Sequence, residues 1–509
     1  MLRPSLIICG GGLVENSLAV HFGKISPLFL PLKNKPLIEY QLMFSKLNSF
    51  ENTFILIPEE EVHRLRILNI DKNNLKIHFH PVNAKIDLIT ALKSVTEKNN
   101  IEQACILLGD TLFNEEIPIT DEDFLSINET FLDFNWNRIN DKDIASGLFY
   151  FNDISNFFKM KKNGNFKEVL SLYLEKVKPG YIRTKSWLDF GHFSTYIKSK
   201  FNYTAERSFN QIYNTSFSYL IKESSNSNKI IGEYLWFKSF SEDFNGGSIP
   251  IVKNLRILNN SASYQISKVF LPNLAEVYLY GQISVGHFAN ILQAFQKTLQ
   301  SFLIKKSEKT DKDSFLFLQA IERKTRQRID SIDMDINQEI SLNRDFKITI
   351  KELLEEIKFT SADIVYENSF YHGDLCLSNM FYDVNANQLV LIDPRGIDFT
   401  GQINPFGNII YDQAKLYHSI VGQYDAIIAG LYSLDTSTPH DYTFNLIDID
   451  RSKHIAFYRK EIQSIERILL KINIHLFLSM IPLHSDSKDR QNAFLANSLR
   501  LFKMYRHEY

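Results

Sequence analysis

A histidine-glycine-aspartate turn in the last third of the chain carries the residues best suited to chemistry. Asp374 and Asn379 lie five positions apart, and Asp393 follows within the segment Ile392-Asp393-Pro394-Arg395-Gly396. An aspartate can accept the proton of a hydroxyl group or orient that group. Asparagine and aspartate oxygens are ligands that Mg²⁺ accepts. The combination predicts phosphoryl transfer, with Asp374 as base and with Asn379 and Asp393 as metal ligands.

Two short strands must place these residues side by side. Residues 380–382 and 388–392 are apolar and flank a polar turn, which predicts a β-hairpin. A hairpin brings Asn379 next to Asp393, as two ligands of one cation require. The spacing of Asp374 and Asn379 is that of the kinase catalytic loop H-R-D-x-x-x-x-N, and Asp393 opens a D-x-x-G turn where kinases have D-F-G.

Composition limits the remaining function classes. The chain has 509 residues, of which 44% are hydrophobic and 23% charged, which indicates a globular protein of more than one domain. The net charge of -2 gives no basic field for nucleic acid or an anionic membrane. The three cysteines form no C-x-x-C pair, and no apolar run is long enough to cross a bilayer. We therefore expect a cytoplasmic protein that binds small molecules.

The first part of the chain, residues 1–203, alternates strand-like and helix-like segments. This alternation predicts an α/β domain whose mainly parallel sheet carries helices on both faces. Ligands of such sheets bind at the carboxyl ends of the strands. The predicted strands are residues 5–9, 52–58, 75–80 and 104–108, and helices are predicted at 36–47 and 86–97.

The second part, residues 204–509, changes pattern and predicts an α+β domain. A small sheet lobe is expected at about 204–284 and a helical lobe at about 285–509. The sheet lobe should contain a hairpin at 207–223, a helix within 225–240 and a strand at 263–270. The helical lobe should contain helices at 289–303, 350–359, 411–421 and 455–480.

A lysine and a glutamate in the small lobe complete the pattern. In kinases a strand lysine holds the ATP phosphates and a helix glutamate orients that lysine. Lys222 follows the strand-like residues 217–221, and Glu233 lies eleven positions later in a helix-like segment. Upstream of Asp374, these two residues are the predicted pair.

The second part resembles the aminoglycoside phosphotransferase and choline kinase-like family, in particular its members of the capsule-biosynthesis type. The matching segments are residues 207–210, the Lys222 strand, the Glu233 helix, 372–375, 378–379, 392–396 and 411–416. The resemblance implies a two-lobed protein-kinase-like fold, ATP and Mg²⁺. It places Ser208 and Asn210 in the phosphate-covering loop and Arg395 at phosphate or substrate. An A-P-E segment is missing, which argues for a small-molecule sugar or polyol as substrate rather than a protein.

The first part resembles sugar-1-phosphate nucleotidyltransferases. The matching segments are residues 7–12, 30–40, 108–110, 145–151 and 187–191. The resemblance implies that Gly11 and Gly12 contact a nucleotide (CTP, UTP, GTP or dTTP) and that Asp110 and Asp189 bind Mg²⁺. Two departures are visible, since Glu15 follows where an arginine is usual and Lys24 stands only near the place of the usual lysine.

Three hypotheses remain open from the sequence. The first is a bifunctional enzyme that phosphorylates a sugar or polyol and then activates it with a nucleotide for a capsular or surface polysaccharide. The second is a choline or aminoglycoside-type kinase with an inactive, scaffolding or nucleotide-sensing first domain. The third is a protein in which one or both sites only bind nucleotide. The acceptor and the oligomeric state, including a homo-oligomer, are left open.

Overall fold

The structure is a computed structural model, and its contacts divide the chain into two compact units. It describes residues 4–68, 76–118, 121–130, 132, 134, 138–161, 164–202, 211–214, 218–243, 249–259, 261–305, 311–332, 334–363, 368–447 and 451–509. The first unit comprises Met1–Thr204 with Tyr280–Gln282. The second unit comprises Ala205–Leu279 with Ile283–Tyr509.

The first unit is an α/β structure with one large sheet. Its strands are β1 (Ser5–Cys9), β2 (Pro31–Leu32), β3 (Lys35–Pro36), β4 (Asn52–Pro58), β5 (Lys76–Val82), β6 (Ala104–Leu108), β7 (Thr111–Leu112), β8 (Phe124–Glu129), β9 (Asp143–Phe151), β10 (Gly180–Arg183) and β11 (Leu188–Asp189). Its helices are α1 (Asn16–Phe22), α2 (Leu37–Leu47), α3 (Leu88–Asn99), α4 (Ile154–Lys159), α5 (Phe166–Lys176) and α6 (Phe193–Asn202).

The large sheet has the strand order β10-β8-β9-β6-β1-β4-β5. Strand β1 pairs in parallel with β4 and β6, and β4 pairs in parallel with β5. Only β9 runs antiparallel to its neighbours β6 and β8. Leu6, Ile7 and Ile8 are fully buried in β1, as expected for a strand covered on both sides. The predicted mainly parallel sheet is confirmed.

The second unit combines short sheets with long helices. Its strands are β12 (Gln211–Asn214), β13 (Tyr219–Ser224), β14 (Val252–Ile257), β15 (Ala262–Ser267), β16 (Glu339–Leu342), β17 (Phe346–Thr349), β18 (Asn368–Phe370), β19 (Met380–Asp383), β20 (Gln388–Leu391), β21 (Phe406–Asn408), β22 (Tyr432–Asp435) and β23 (Asp441–Leu446). Its helices are α7 (Ser227–Asp243), α8 (Leu274–Tyr280), α9 (Val285–Ile304), α10 (Asp311–Asp330), α11 (Ile350–Glu356), α12 (Ile410–Ile420), α13 (Tyr424–Ile428), α14 (Ser452–Glu461), α15 (Glu466–Met480) and α16 (Lys488–Glu508).

A four-stranded antiparallel sheet, in the order β12-β13-β15-β14, precedes the helical part. Helix α7 packs on this sheet and buries Trp236, Phe237 and Phe240. The predicted hairpin forms from β19 and β20, with Met380 opposite Leu391. Asp383 accepts the backbone N–H groups of Asn385 and Ala386, and this Asx turn closes the hairpin.

Two local predictions for the second unit differ from the structure, and one of its sheets was not predicted. Lys222 lies inside strand β13 rather than after it, because the strand extends to Ser224. The single helix expected at 455–480 is two helices, α14 and α15, and the break falls at residues 462–465. The sheet in the order β17-β16-β23-β22 was not expected at all. The predicted two-lobed kinase-like fold itself stays a prediction.

Membrane insertion through a helix has no support in the described part of the chain. Within it, none of the helices combines the length and the apolar character that crossing a bilayer requires. The three cysteines are free thiols, with Cys105 and Cys376 buried and Cys9 partly buried.

Candidate active sites

Lys222 joins two carboxylates in the second unit. Its Nζ atom lies 2.6 Å from Oε2 of Glu233 on α7 and 2.8 Å from Oδ1 of Asp393 after β20. The side chains of Lys222 and Glu233 are only 4% and 1% exposed. Tyr264 on β15 donates a further hydrogen bond to Glu233, 3.1 Å long. Strand β13, helix α7 and the loop that carries Asp393 therefore meet at one buried ammonium group.

The charge state of Lys222 follows from these neighbours. Burial alone would lower the pKa of its ammonium group, but Asp393 and Glu233 outweigh burial and the pKa is raised. Lys222 is therefore a cation held in place by two anions. A kinase needs such a lysine to contact the α- and β-phosphates of ATP.

Two glycines set the position of Asp393 relative to α7. A Cβ atom added at Gly396 would lie 2.2 Å from the backbone carbon of Gly232, so neither backbone could approach the other with a side chain present. Gly396 also has φ +62°, a left-handed conformation that glycine adopts without strain. Trp236, one turn beyond Glu233, donates a 2.7 Å hydrogen bond to the carbonyl of Tyr371. Helix α7 thus contacts both ends of the segment from Tyr371 to Gly396, which carries Asp374, Asn379 and Asp393.

The predicted base, Asp374, and the predicted metal ligand Asn379 are in direct contact within the turn that precedes the hairpin. The amide nitrogen of Asn379 donates to the carbonyl of Asp374 at 2.8 Å and to its Oδ2 atom at 3.2 Å. This orientation leaves the Oδ1 atom of Asn379 without a donor in the described residues. The Asp374 side chain remains 43% exposed, so a substrate hydroxyl group can reach it.

His372 supports the turn as a neutral ring. Burial lowers its pKa to about 4. One ring nitrogen, Nδ1, accepts the N–H of Asp374 at 3.3 Å, and Nε2 lies 3.0 Å from the carbonyl of Ile392. The network assigns the proton to Nε2. The imidazole therefore connects the turn to the end of β20 rather than serving as a second base.

Helix α12 contributes two residues to which the sequence assigned no role. Both carboxylate oxygens of Asp412 accept backbone N–H groups, from His372 and Gly373, at 2.7 Å each. Lys415, one turn later, lies 2.9 Å from Oδ1 of Asp374. Burial favours neutral Asp374, but Lys415 outweighs it and the pKa of Asp374 is lowered. The i, i+3 spacing of Asp412 and Lys415 on one helix face was the available signal.

Arg395 lies beside the turn but contacts no carboxylate in the described residues. Its N–H donates to the carbonyl of His372 at 2.8 Å, and its guanidinium carbon lies 4.2 Å from the ring centre of Phe399. The other phosphate-binding prediction, Ser208 and Asn210 in the segment 207–210, lies outside the described residues.

The Asn379 and Asp393 pair fits a magnesium ion on chemical grounds. No cluster of three or more His, Cys, Asp or Glu side chains arranged to hold a metal occurs in the parts of the chain that the structure describes. Mg²⁺ needs no such cluster, since it commonly takes one or two protein ligands and completes its shell with phosphate oxygens and water. Asn379 offers a free amide oxygen, and Asp393 offers a 29% exposed carboxylate.

The first unit brings Asp110 and Asp189 together from different strands. A Cβ atom added at Gly191 would lie 2.6 Å from Oδ2 of Asp110 and 3.4 Å from Oδ1 of Asp189, so both carboxylates face one point. Burial raises the pKa of Asp110 to about 6, and the neighbouring charge of Asp189 adds to the shift. Oδ2 of Asp189 is buried and accepts no hydrogen bond from the described residues.

His192 is the residue that sequence reasoning missed in this unit. Its Nδ1 atom lies 3.7 Å from Oδ2 of Asp189, and contact with Asp189 raises its pKa. Its position directly after the Trp187–Gly191 segment was the signal. Two carboxylates that repel each other, with a buried oxygen lacking a donor, fit a divalent cation at Asp110 and Asp189.

The glycine loop after β1 is shaped by packing as well as by access. A Cβ atom would lie 2.1 Å from Cγ of Leu28 at Gly10 and 2.5 Å from Cγ2 of Val82 at Gly11. At Gly12 such an atom would meet nothing within 4 Å, so only Gly12 faces open space. Gly11 is therefore explained by close packing, whereas Gly12 remains accessible for a nucleotide.

Glu15 and Lys24, the two residues that depart from the nucleotidyltransferase pattern, have different surroundings in the structure. Glu15 accepts a hydrogen bond from the hydroxyl group of Ser17, and that hydroxyl also accepts the N–H of Phe193 at 3.3 Å. The Glu15 carboxylate thus has its own donor close to the loop. Lys24 is exposed.

Solved structures similar to this chain include proteins named as a thymidylyltransferase and as a CTP transferase. A putative glucose-1-phosphate thymidylyltransferase from Bacillus anthracis shares 12% identity over 40% of this chain and 95% of its own, with a TM-score of 0.33. HddC from Yersinia pseudotuberculosis shares 16% identity over 40% of this chain and 100% of its own, with a TM-score of 0.32. The inositol-1-phosphate CTP transferase from T. maritima shares 11% identity over 38% of this chain and 92% of its own, with a TM-score of 0.31.

These similarities are confined to the amino-terminal part of the chain and do not extend over the second unit. At such TM-scores and identities they carry no conclusion about activity or ligand. Neither a scan against protein-family models nor a search of curated proteins found a match.

Proposed function

We propose that the second unit transfers a phosphoryl group from ATP to a hydroxyl group of a small molecule, a sugar or polyol. The observation that carries the proposal is the buried bridge of Lys222 between Glu233 and Asp393, at 2.6 and 2.8 Å. Residues so distant in sequence meet in the arrangement that phosphoryl transfer from ATP requires.

Each described residue then has a chemical role. Lys222, fixed by Glu233, contacts the α- and β-phosphates. Asp374 is ionised because Lys415 lowers its pKa, so it accepts a hydrogen bond from the acceptor hydroxyl and orients the oxygen for attack. Asn379 and Asp393 would hold Mg²⁺, which neutralises phosphate charge when bound.

The test is an ADP-release assay with ATP, Mg²⁺ and a panel of sugars and polyols. Turnover should fall by about 10³-fold or more in Asp374→Asn, because the acceptor loses the group that orients it. Asp345→Asn, an exposed aspartate of the same unit that pairs with Lys503, is the matched control. Absence of ADP with every acceptor, or equal rates in both variants, would contradict the proposal.

The Asp110 and Asp189 pair favours a second activity, nucleotidyl transfer in the first unit. A nucleoside triphosphate would approach Gly12, and the two carboxylates would hold Mg²⁺ between nucleotide and sugar phosphate. Two of the proteins named above, the glucose-1-phosphate thymidylyltransferase and the inositol-1-phosphate CTP transferase, act on such substrates by name. Nucleotidyl transfer would use the product of the second unit. Together the two activities would supply an activated precursor for a surface polysaccharide.

Release of pyrophosphate tests the second activity independently. The phosphorylated product, or a set of sugar 1-phosphates, is incubated with CTP, UTP, GTP or dTTP. Asp110→Asn should abolish pyrophosphate release while ADP release by the second unit persists. If no nucleotide yields pyrophosphate, the first unit is a scaffold or a sensor, and the kinase proposal is unaffected.

A further inference from the structure

Four basic side chains form a cluster next to Asp374. Lys415 pairs directly with this aspartate at 2.9 Å. Arg395 is adjacent to the turn, because a Cβ atom at Gly373 would lie 2.8 Å from its own Cβ. Lys324 and Arg328 come from α10, where they are four positions apart and therefore lie on one face.

Phe399 shows that two of these cations converge. The guanidinium carbon of Arg395 lies 4.2 Å from its ring centre, and Nζ of Lys324 lies 5.5 Å from the same centre. The ring of Phe399 also packs edge-on against Tyr411, at 5.9 Å, and Nζ of Lys415 lies 5.8 Å from the Tyr411 ring. The cluster is thus continuous from α10 to Asp374.

The protein does not neutralise the whole cluster. Lys415 has Asp374 as its partner, and Arg328 donates to the carbonyl of Ser479 at 3.0 Å. Within the described residues, the charged groups of Lys324 and Arg395 form no ion pair with a carboxylate. Asp398, on the same loop as Phe399, is already bound to the backbone of Thr400 and Gln402. Two basic groups are therefore available to bind an external anion.

The electrostatics of Lys324 agree with this geometry. Burial, together with the charges of Arg395, Arg328 and Lys415, lowers the pKa of Lys324 to about 7, against a smaller opposing effect of Asp374. A lysine in such surroundings is stabilised as a cation when an anion binds.

We propose that the acceptor is itself anionic and carries a phosphate or carboxylate group that Lys324 and Arg395 hold beside Asp374. This inference rests on the phosphoryl-transfer function proposed above and specifies its substrate class. A planar carboxylate and a tetrahedral phosphate both present several anionic acceptor oxygens that a guanidinium and an ammonium group bind. A sugar phosphate or a sugar acid satisfies this chemistry.

The same cluster disfavours a cationic acceptor such as choline or an aminoglycoside. Recognition of a quaternary amine needs an aromatic surface that is free to face the ligand. Here Phe399 already has the protein's own Arg395 and Lys324 near its ring, and like charges would repel an incoming ammonium group.

The assay compares matched acceptors with the full-length protein, ATP and Mg²⁺. The neutral members are glucose and glucitol, the anionic members are glucose 6-phosphate, glucitol 6-phosphate and glucuronate, and choline and kanamycin are the cationic members. We expect kcat/KM for the phosphates or for glucuronate to exceed that of the neutral counterparts at least about 10-fold. Preference for the phosphates over glucuronate, or the reverse, identifies the anionic group.

Variants at α10 connect the preference to Lys324. Lys324→Gln should raise the KM for the preferred anionic acceptor about 10- to 100-fold and leave the KM for ATP unchanged. Lys324→Arg should largely retain the preference. Arg323→Gln removes the same charge from the neighbouring exposed position and should change neither constant.

The outcomes separate the two proposals. Faster turnover of neutral or cationic acceptors, or a Lys324→Gln effect on the KM for ATP alone, would overturn the anionic acceptor while leaving phosphoryl transfer in place. If no acceptor reacts, calorimetry with glucose 6-phosphate and glucuronate decides. If an anion binds and Lys324→Gln weakens its binding, the anion site is supported and the kinase proposal is contradicted. If no anion binds, the anion site is contradicted.

Discussion

Nζ of Lys415 lies 2.9 Å from Oδ1 of Asp374, and this contact keeps the proposed base ionised. Because the pKa of Asp374 is lowered, the carboxylate is lost only when the pH falls through that depressed value. In Lys415→Gln the cation is gone, so the pKa rises and the acidic limb of kcat/KM should move to higher pH by about 1 unit or more. The measurement is the pH profile of ADP release.

A matched lysine controls for general charge effects on that profile. Lys503 forms an exposed pair with Asp345 on the same unit, and Lys503→Gln should leave the acidic limb where it is. An unshifted limb in Lys415→Gln would show that Asp374 does not determine it.

Removal of Lys222 should cost stability as well as activity. Lys222→Met leaves Glu233, 1% exposed, without its 2.6 Å partner, and breaking a buried pair in this way costs about 3–5 kcal/mol. Lys222→Met with Glu233→Gln removes both charges and should recover most of that loss. ATP binding, measured by calorimetry, should be absent in both variants. Equal unfolding free energies of the single and double variants would contradict the pairing.

The buried carboxylate of Asp110 should destabilise the folded protein at neutral pH. Its pKa is raised to about 6, so above that pH the folded state carries an unfavourable buried charge that the unfolded state does not. At pH 7.5 and in the absence of divalent metal, Asp110→Asn should therefore raise the unfolding free energy by on the order of 1–3 kcal/mol. The melting temperature should rise with it. The gain should vanish near pH 4, where the aspartate is protonated.

Exposed Asp141 provides the control for this charge effect. Asp141→Asn should leave the melting temperature unchanged at both pH values. A destabilised Asp110→Asn at pH 7.5 would mean that the carboxylate has a structural partner that favours its charge.

Gly396 and Gly401 separate backbone strain from close contact. Both have positive φ, +62° and +85°, but a Cβ atom at Gly396 would meet Gly232 at 2.2 Å, whereas at Gly401 it would meet nothing within 4 Å. Gly401→Ala should cost about 1 kcal/mol of strain. Gly396→Ala should cost several times more and abolish ADP release, as denaturation and kinetics would show. Equal costs would contradict the contact.

The sequence predicted the parts of the site that are local. Asn379 and Asp393 flank one hairpin whose turn residues are explicit, and Asp374 precedes Asn379 by five positions, so the proximity of these residues follows from local sequence. Lys415 and Lys324 approach Asp374 from helices, and no short-range pattern encodes where those helices pack. The roles predicted for the site residues stay predictions.

The same limit explains the fold. In the large sheet of the first unit, strands β1, β4, β5 and β6 were predicted, whereas β8, β9 and β10 were not. In the second unit the four-residue strands β16, β17 and β22 have too few residues for periodicity to identify. The break between α14 and α15 contains no proline or glycine, so the sequence offered no stop signal there.

The double attachment of α7 has a consequence for regulation. Gly232 touches Gly396, and Trp236 is bound to the carbonyl of Tyr371 at 2.7 Å. Protein kinases are regulated through the position of the helix that carries the glutamate of the lysine–glutamate pair. In the function proposed above, α7 would have that place, and an outward swing would separate Glu233 from Lys222. Here such a swing would have to break a backbone contact and a buried indole bond together. We therefore expect a constitutively assembled catalyst whose output follows the supply of its acceptor.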